Sequence, residues 1–203
     1  MKIICISDTH NQHHSLTDKL PDGDMIIHAG DISVNGTLEE IHDFLIWYSS
    51  LPYKYKIFVA GNHDLAFERN RKKIKIPKNV YYLENNSIVI DKLKIWGSPV
   101  CSQRNSWAFM WSLEKRKKLY ESIPNDCDII ISHNPPFEIL DKIKIGQNIG
   151  CPLLMTRIQE IKPELVVFGH VHEDSGNYKY IHTYYINAAT SIMCYEYNNF
   201  FRS

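Results

Sequence analysis

Five short runs of apolar, mostly β-branched residues recur along the chain, and each one ends in a polar cluster. A nearly continuous apolar run of this length is typical of a strand that is buried on both faces of its sheet. The pattern therefore predicts five buried strands. They are Lys2–Ser7, Met25–Ala29, Lys56–Ala60, Asp128–Ser132 and Leu165–Phe168.

Three stretches between these runs have the apolar spacing of three and four residues that marks one face of a helix. The clearest is Thr37–Ser50, where Thr37 is placed to accept the hydrogen bond of an N-cap. The other two are Ser112–Ile123 and Leu153–Ile161. We expect three helices between the strands.

Two further regions carry turn signals between short strands. Asparagine and Asp-Lys pairs divide Val80–Trp96 into three segments, which predicts antiparallel hairpins. Tyr180–Ile186 and Ser191–Tyr197 predict another such pair. Because the chain shows no internal repeat and no linker, we expect one mixed α/β domain over residues 1–203, with two sheets.

Residue types that bind metals follow all five apolar runs. In an α/β sheet the carboxyl ends of strands are where ligands bind, because the loops there converge on one crevice. Imidazole, carboxylate and amide oxygen suit first-row divalent ions such as Mn, Fe or Zn, whereas so many histidines argue against calcium. The residues at these ends are Asp8, His10, Asp31, Asn62, His63, His133, His170 and His172.

The spacing within the clusters favours a single centre. Asp8 and His10 are two residues apart, so both side chains project to the same side as the chain leaves its strand. His170 and His172 repeat that spacing. Glycines that allow close backbone approach precede three of the clusters, at Gly30, Gly61 and Gly169.

Composition limits the partners and the compartment. The chain has 23 basic and 23 acidic side chains, and this balance argues against a nucleic-acid binder. No apolar run approaches the roughly 18–20 residues of a membrane span, so we expect no membrane partner. The segment before Asp8 is too short for a signal peptide. Five scattered cysteines without a CxxC pair indicate reduced thiols in the core and a cytoplasmic location, and the oligomeric state stays open.

The motifs DTH, GD, GNHD, SHNPP and GHVH occur in this order over Asp8–His172 and resemble the signature blocks of the calcineurin-like metallophosphoesterases. The resemblance implies a four-layer α-β-β-α sandwich, with two mixed sheets flanked by helices. It also implies two divalent transition-metal ions, Mn²⁺ first, with Fe or Zn as alternatives. The implied ligands are Asp8, His10 and His172 for one ion, Asn62, His133 and His170 for the other, and Asp31 between the two.

The resemblance further implies a metal-dependent phosphoric ester hydrolase in which a metal-activated hydroxide attacks phosphorus. His63 matches the family's histidine that is not a ligand, and would stabilise the transition state or protonate the leaving oxygen. Asp64 would orient the imidazole of His63. A supporting role for His63 beside the ligands is the alternative.

Longer segments resemble a narrower group, the metallophosphoesterase-domain-containing cyclic-nucleotide phosphodiesterases. The matching segments are Ser50–Phe67, Ile95–Phe109, Gly150–Glu173 and Ile186–Ser191. This resemblance implies a phosphodiesterase whose substrate is a small phosphodiester or nucleotide, such as a cyclic nucleotide. The alternatives are a phosphomonoesterase or protein phosphatase, and a non-catalytic scaffold on the same fold.

Three residues are candidates for contact with the substrate. Asn11 directly follows the DTH motif and could reach a phosphate. In a later insert, Trp107 could stack on a base while Asn105 reads the base edge, although packing of the insert onto the core explains its aromatic residues equally well. His13 and His14 could line the same cleft.

Overall fold

The structure, a computed structural model, describes residues 1–102 and 106–197. Its helices are α1 (Leu38–Ser50), α2 (Leu65–Arg69), α3 (Leu113–Glu121) and α4 (Pro152–Ile161), and 3₁₀ turns cover His13–Lys19, Arg71–Lys73 and His172–Asp174. Its strands are β1 (Lys2–Ile6), β2 (Met25–His28), β3 (Tyr55–Phe58), β4 (Tyr81–Tyr82), β5 (Asn86–Ile90), β6 (Leu93–Ser98), β7 (Cys101–Ser102), β8 (Met110–Trp111), β9 (Ile129–Ser132), β10 (Leu165–Phe168), β11 (Gly176–Tyr180), β12 (Thr183–Asn187) and β13 (Met193–Glu196).

Two mixed sheets form the centre of the fold. The first has the strand order β13-β1-β2-β3-β4, in which only β13 runs antiparallel to its neighbour. The second has the order β11-β12-β10-β9-β6-β5, with a parallel interior and antiparallel strands at both edges. The five predicted apolar runs are β1, β2, β3, β9 and β10, all in the parallel interiors.

Apolar clusters on both faces of each sheet create four layers. Ile3 and Cys5 of β1 face the second sheet, whereas Ile4 and Ile6 face α1. On the other side, the second sheet packs against α3 and α4. The predicted α-β-β-α sandwich is therefore confirmed.

The N-terminus of α1 forms as its sequence predicts. The side chain of Thr37 accepts a hydrogen bond from the backbone N–H of Glu40, and the Glu40 carboxylate accepts one from the backbone N–H of Thr37. This reciprocal pair is a capping box, which satisfies two backbone donors that a helix otherwise leaves unpaired.

Some predicted strand partners are wrong. The strands β5 and β6 do form an antiparallel hairpin, but β4 pairs in parallel with β3 in the other sheet. Likewise β11 and β12 pair with each other, while β13 pairs with β1. Turn signals show where a strand ends, but the partner of an edge strand depends on how the two sheets pack. The prediction that all cysteines lie in the core is also wrong, because Cys194 of β13 is exposed.

No helix in the described part of the chain is both long and apolar enough to cross a membrane.

One buried histidine of the first sheet has a defined proton position. Nδ1 of His28 accepts a hydrogen bond from the backbone N–H of Gly30 at 3.2 Å, so the ring proton lies on Nε2. That proton is donated to Oγ1 of Thr9, at 3.0 Å. Burial is the main reason why the pKa of His28 falls to about 3.

This histidine should make stability depend on pH. Since an unfolded histidine titrates near pH 6.5, His28 takes up a proton only in the unfolded chain between pH 6.5 and 3, and the free energy of unfolding falls as the pH drops. Between pH 7 and 5 the loss should be about 2 kcal/mol. His28→Asn keeps an acceptor for Gly30 but does not titrate, so its loss should be smaller by that amount in paired urea titrations. Equal pH dependence of the two proteins would contradict the prediction.

Candidate metal centre

Left-handed backbone turns follow three of the five strands that carry the predicted ligands, β1, β2 and β10. Two of these turns are tied together, since the backbone N–H groups of Asp8 and His10 donate to the carbonyls of Gly30 and Asp31. Non-glycine residues adopt this conformation at a cost, and such residues concentrate at functional sites. Positive φ angles occur at Asp8 (55°), His10 (41°), Asn11 (66°), Asp31 (53°) and His170 (72°).

The structure brings the first predicted group of ligands together. Nε2 of His172 lies 3.1 Å from Oδ1 of Asp8. The ligand atoms of Asp8, His10 and His172 all lie within 4.8 Å of one another. These residues follow β1 and β10, so the group joins the carboxyl ends of strands from both sheets.

The second predicted group lies beside the first. Nε2 of His133 is 3.0 Å from Oδ1 of Asn62, and the His133 and His170 rings are 5.1 Å apart. Oδ2 of Asp31 is 3.3 Å from Nε2 of His133 and 3.9 Å from Nε2 of His10. Asp31 therefore stands between the two groups.

Backbone carbonyls orient three of the imidazoles. Nδ1 of His10, His63 and His133 lies 3.1, 2.8 and 2.8 Å from the carbonyl oxygens of Ser33, Val34 and Ala29, respectively. A carbonyl can only accept, so each Nδ1 carries a proton, and Nε2 is the ring atom that faces a metal or a substrate. Sequence reasoning missed these carbonyls, because a backbone acceptor leaves no mark in residue identity.

The buried carboxylates of the centre need positive charge beside them. Burial alone would raise the pKa of Asp31, yet the neighbouring histidines, His133 above all, hold it well below its usual range. Burial alone would lower the pKa of His133, but Asp31 and Asp8 raise it to about 9. Two buried carboxylates thus draw a proton onto a fully buried imidazole. Divalent ions would supply the same positive charge, and the O- and N-donor set fits first-row transition metals.

Glycine allows the close packing behind these ligands. A Cβ atom at Gly61 would overlap Oδ1 and the backbone nitrogen of Asp31 and lie 2.8 Å from Cε1 of His133. A Cβ atom at Gly169 would overlap Oδ2 of Asp8. Any side chain at either position must therefore displace a carboxylate of the centre.

The predicted contact between the Asp64 carboxylate and the imidazole of His63 is wrong. The carboxylate does not bond the imidazole of His63, and accepts hydrogen bonds from the backbone N–H groups of Gly61, Ile32 and Ser33 and from the Ser33 hydroxyl. Burial, together with the charge of Asp31, raises the pKa of Asp64 to about 6. Because Asp64 follows a tight turn, its side chain points back into that turn. It thereby holds the loop whose Val34 carbonyl contacts Nδ1 of His63.

The centre opens into a cavity of about 260 Å³. Glu173 belongs to its lining, and sequence reasoning missed this residue although it follows the last histidine motif directly. The ring of His63 packs between His10, at 4.8 Å, and Trp107, at 4.1 Å between ring centroids. The lining residues are His10, Asp31, Asn62, His63, His170, His172 and Glu173.

The remaining candidates lie at different distances from this cavity. Trp107 packs its ring on His63 and is 37% exposed, so part of its surface is accessible to a substrate. The amide of Asn11 donates to Oε1 of Glu40 on α1, at 2.6 Å. Asn105 lies outside the described residues. His13 and His14 do not belong to the lining.

The glycine behind Asp31 gives a test of the centre. Gly61→Ala should lose most metal binding, because the added methyl group displaces the Asp31 carboxylate and crowds His133. The measurement is bound metal per chain after dialysis. Gly146→Ala is the control, since it also strains the backbone, at a φ of 82°, but its Cβ meets nothing within 4 Å and displaces no ligand. Full metal content in Gly61→Ala, with an unchanged far-UV spectrum, would contradict this account.

Known proteins with similar sequences include phosphoesterases. A profile of the calcineurin-like phosphoesterases matches residues 1–174. Human metallophosphoesterase domain-containing protein 1 is 33% identical in an alignment of 224 positions, and the alignment covers 96% of this chain and 68% of the human protein. A 3′,5′-cyclic-nucleotide phosphodiesterase of Nostoc sp. is 23% identical in an alignment of 197 positions, and the alignment covers 91% of this chain and 68% of the Nostoc protein.

Solved structures share the fold. The phosphopantetheinyl hydrolase of Mycobacterium tuberculosis matches with a TM-score of 0.64 at 16% identity, over 94% of this chain and 89% of that chain. At this identity the likeness shows the fold alone. The family profile covers most of the chain, and the human relative matches nearly all of it. The chain therefore belongs to the calcineurin-like phosphoesterase family, the metal-dependent hydrolases of phosphoesters.

Proposed function

We propose that this chain is a phosphodiesterase that hydrolyses small diesters such as cyclic nucleotides. The observation that carries the proposal is the position of Asp31 between two groups of ligand side chains, beside His63, in a small cavity. Asp8, His10 and His172 would hold one divalent ion, Asn62, His133 and His170 would hold the second, and Asp31 would contact both. The two ions would activate water and neutralise charge on the phosphoryl oxygens.

The charge of the metal-loaded cavity suits a phosphate anion. With two ions bound, the two carboxylate ligands Asp8 and Asp31 leave about two positive charges, which attract an anion. Glu173 adds a carboxylate to the cavity lining. A phosphodiester carries one negative charge and a monoester up to two at neutral pH, so the positive charge that remains in the metal-loaded cavity would attract either substrate, and charge alone does not select the diester.

His63 would act on the leaving group. Its Nδ1 proton is held by the carbonyl of Val34 at 2.8 Å, so Nε2 is the atom left to act in the cavity. In the protonated ring, Nε2 would donate to the developing negative charge on the leaving oxygen. Contacts with His10 on one side and Trp107 on the other restrict the ring to this orientation.

The size of the cavity and one relative support a small substrate. About 260 Å³ is enough for a phosphate and part of a nucleoside, and less than typical drug-sized pockets provide. The exposed part of Trp107 lies beside His63, where a base could pack against it. The Nostoc relative is named for the hydrolysis of 3′,5′-cyclic nucleotides, which makes that class the first to test.

The reaction can be tested on paired chromogenic substrates. Metal-stripped protein should be inactive, and reloading with Mn²⁺ should restore hydrolysis of bis-p-nitrophenyl phosphate in preference to p-nitrophenyl phosphate. Initial rates at matched concentrations measure this preference. A preference for the monoester would indicate a phosphatase, and metal-loaded protein that turns over neither substrate would indicate a scaffold. Either outcome would overturn the proposal.

Two substitutions separate the role of His63 from that of a metal ligand. His63→Ala should keep two ions per chain and lose at least about 100-fold in kcat, as expected when a general acid is removed. Asp31→Ala should lose metal as well as activity. The measurements are metal content and diester hydrolysis on the same preparations, with His42→Gln, an exposed histidine of α1, as the control. Near-full turnover in His63→Ala would remove it from the mechanism.

A further inference from the structure

A second cluster of ligand-type side chains lies outside the cavity, between the 3₁₀ turn His13–Lys19 and α1. Nε2 of His13 is 3.1 Å from Oδ2 of Asp43, and Nε2 of His14 is 3.2 Å from both carboxylate oxygens of Asp43. The ligand atoms of these three residues lie within 4.8 Å of one another. None of the three belongs to the centre assigned above.

We propose that His13, His14 and Asp43 form a third metal site, which binds a late first-row divalent ion such as Zn²⁺. Zinc bonds of about 2.0–2.1 Å place two ligands of a tetrahedron about 3.4 Å apart. The separations between the histidines and Asp43 are only slightly shorter, so a small outward shift of the carboxylate admits the ion. Two imidazoles and one carboxylate favour zinc over magnesium or calcium, and water completes the coordination.

One ligand of the site is already held in position. The His13 side chain is fully buried, with its ring 5.0 Å from Trp47 and edge-on to Phe44 at 5.5 Å. The indole N–H of Trp47 donates to Oγ1 of Thr17, which keeps that ring in place. A ligand that is fixed by its packing loses little conformational freedom when a metal binds.

The other two ligands open the site to solvent. The side chains of His14 and Asp43 are 60% and 57% exposed, so an ion can enter without any movement of the core. On the other side, the Trp47 ring packs near both histidine rings, at 5.0 Å from His13 and 6.5 Å from His14. The cluster is therefore a half-buried site with one rigid ligand and two accessible ligands.

The protonation states suit a metal at neutral pH. Burial, and next the neighbouring His14, lower the pKa of His13, so its imidazole is neutral. The slight burial of Asp43 acts in the opposite sense, but its contacts with His14 and His13 hold the pKa of its carboxyl below the usual value. Without an ion, both rings direct Nε2 at the same carboxylate oxygen. A cation there would replace the two ring protons that the Asp43 carboxylate otherwise accepts.

A bound ion would also stabilise the loop that carries Asp8 and His10. That loop leads directly into His13, and Asn11 within it is already bonded to Glu40 of α1. A metal held by both the turn and α1 adds a second link between the same two segments. Because an ion that binds only the folded chain raises its stability, Zn²⁺ at this site should raise the melting temperature.

The site is tested by counting ions. Wild-type protein dialysed at micromolar free Zn²⁺ should hold one more Zn²⁺ per chain than His14→Gln or Asp43→Asn, by elemental analysis. His42→Gln changes an exposed histidine next to Asp43 and should match the wild type. The zinc-induced rise in melting temperature should be smaller in His14→Gln than in His42→Gln, whether or not the protein hydrolyses diesters.

Equal zinc content in the wild type and in His14→Gln would overturn the proposal, and so would a third ion that binds only at millimolar Zn²⁺. His14 is exposed, so His14→Gln should fold even if Asp43→Asn does not, and far-UV spectra establish this for each variant.

Discussion

The rest of the centre depends on one buried charge, the carboxylate of Asp31. It is almost inaccessible to water, accepts the backbone N–H of His63 at 2.8 Å, and faces imidazoles from both groups of ligands. A carboxylate in this position is tolerated only if positive charge surrounds it. The imidazoles of His10 and His133, the backbone N–H of His63 and the expected metal ions all help to meet that requirement.

The fold meets the requirement by directing strand ends from both sheets to one edge. His170 follows β10 of the second sheet, and its backbone N–H donates to the carboxylate of Asp8, which follows β1 of the first sheet. His133, after β9, directs Nδ1 at the carbonyl of Ala29, after β2. The centre is therefore also part of the junction between the sheets, and substitutions there should affect folding as well as catalysis.

Left-handed turns make this junction compact. Asp8, Asp31 and His170 adopt positive φ angles two or three residues after their strands end, so the chain turns close to the sheet edge. The cost of this conformation is offset by hydrogen bonds between the turns and by the charges that they bring together. Asp64, which has no contact with the imidazole of His63, serves the same end by holding three backbone N–H groups with one carboxylate.

The sequence by itself determined the helical spacing of apolar residues, the buried strands with their polar ends, and the types of ligand at those ends. Burial and metal binding each require particular residue types, so both can be recognised in a sequence. Asp8, Asp31 and His133 were predicted on these grounds. Only the tertiary structure decided the partners of β4 and β13, the carbonyls that orient His10 and His63, the packing of Trp107 and the contact of Asp43 with His13. These features depend on which segments meet in space. A backbone carbonyl or an edge strand offers the same hydrogen-bonding groups whatever its side chains are, so its partner cannot be predicted from residue identity.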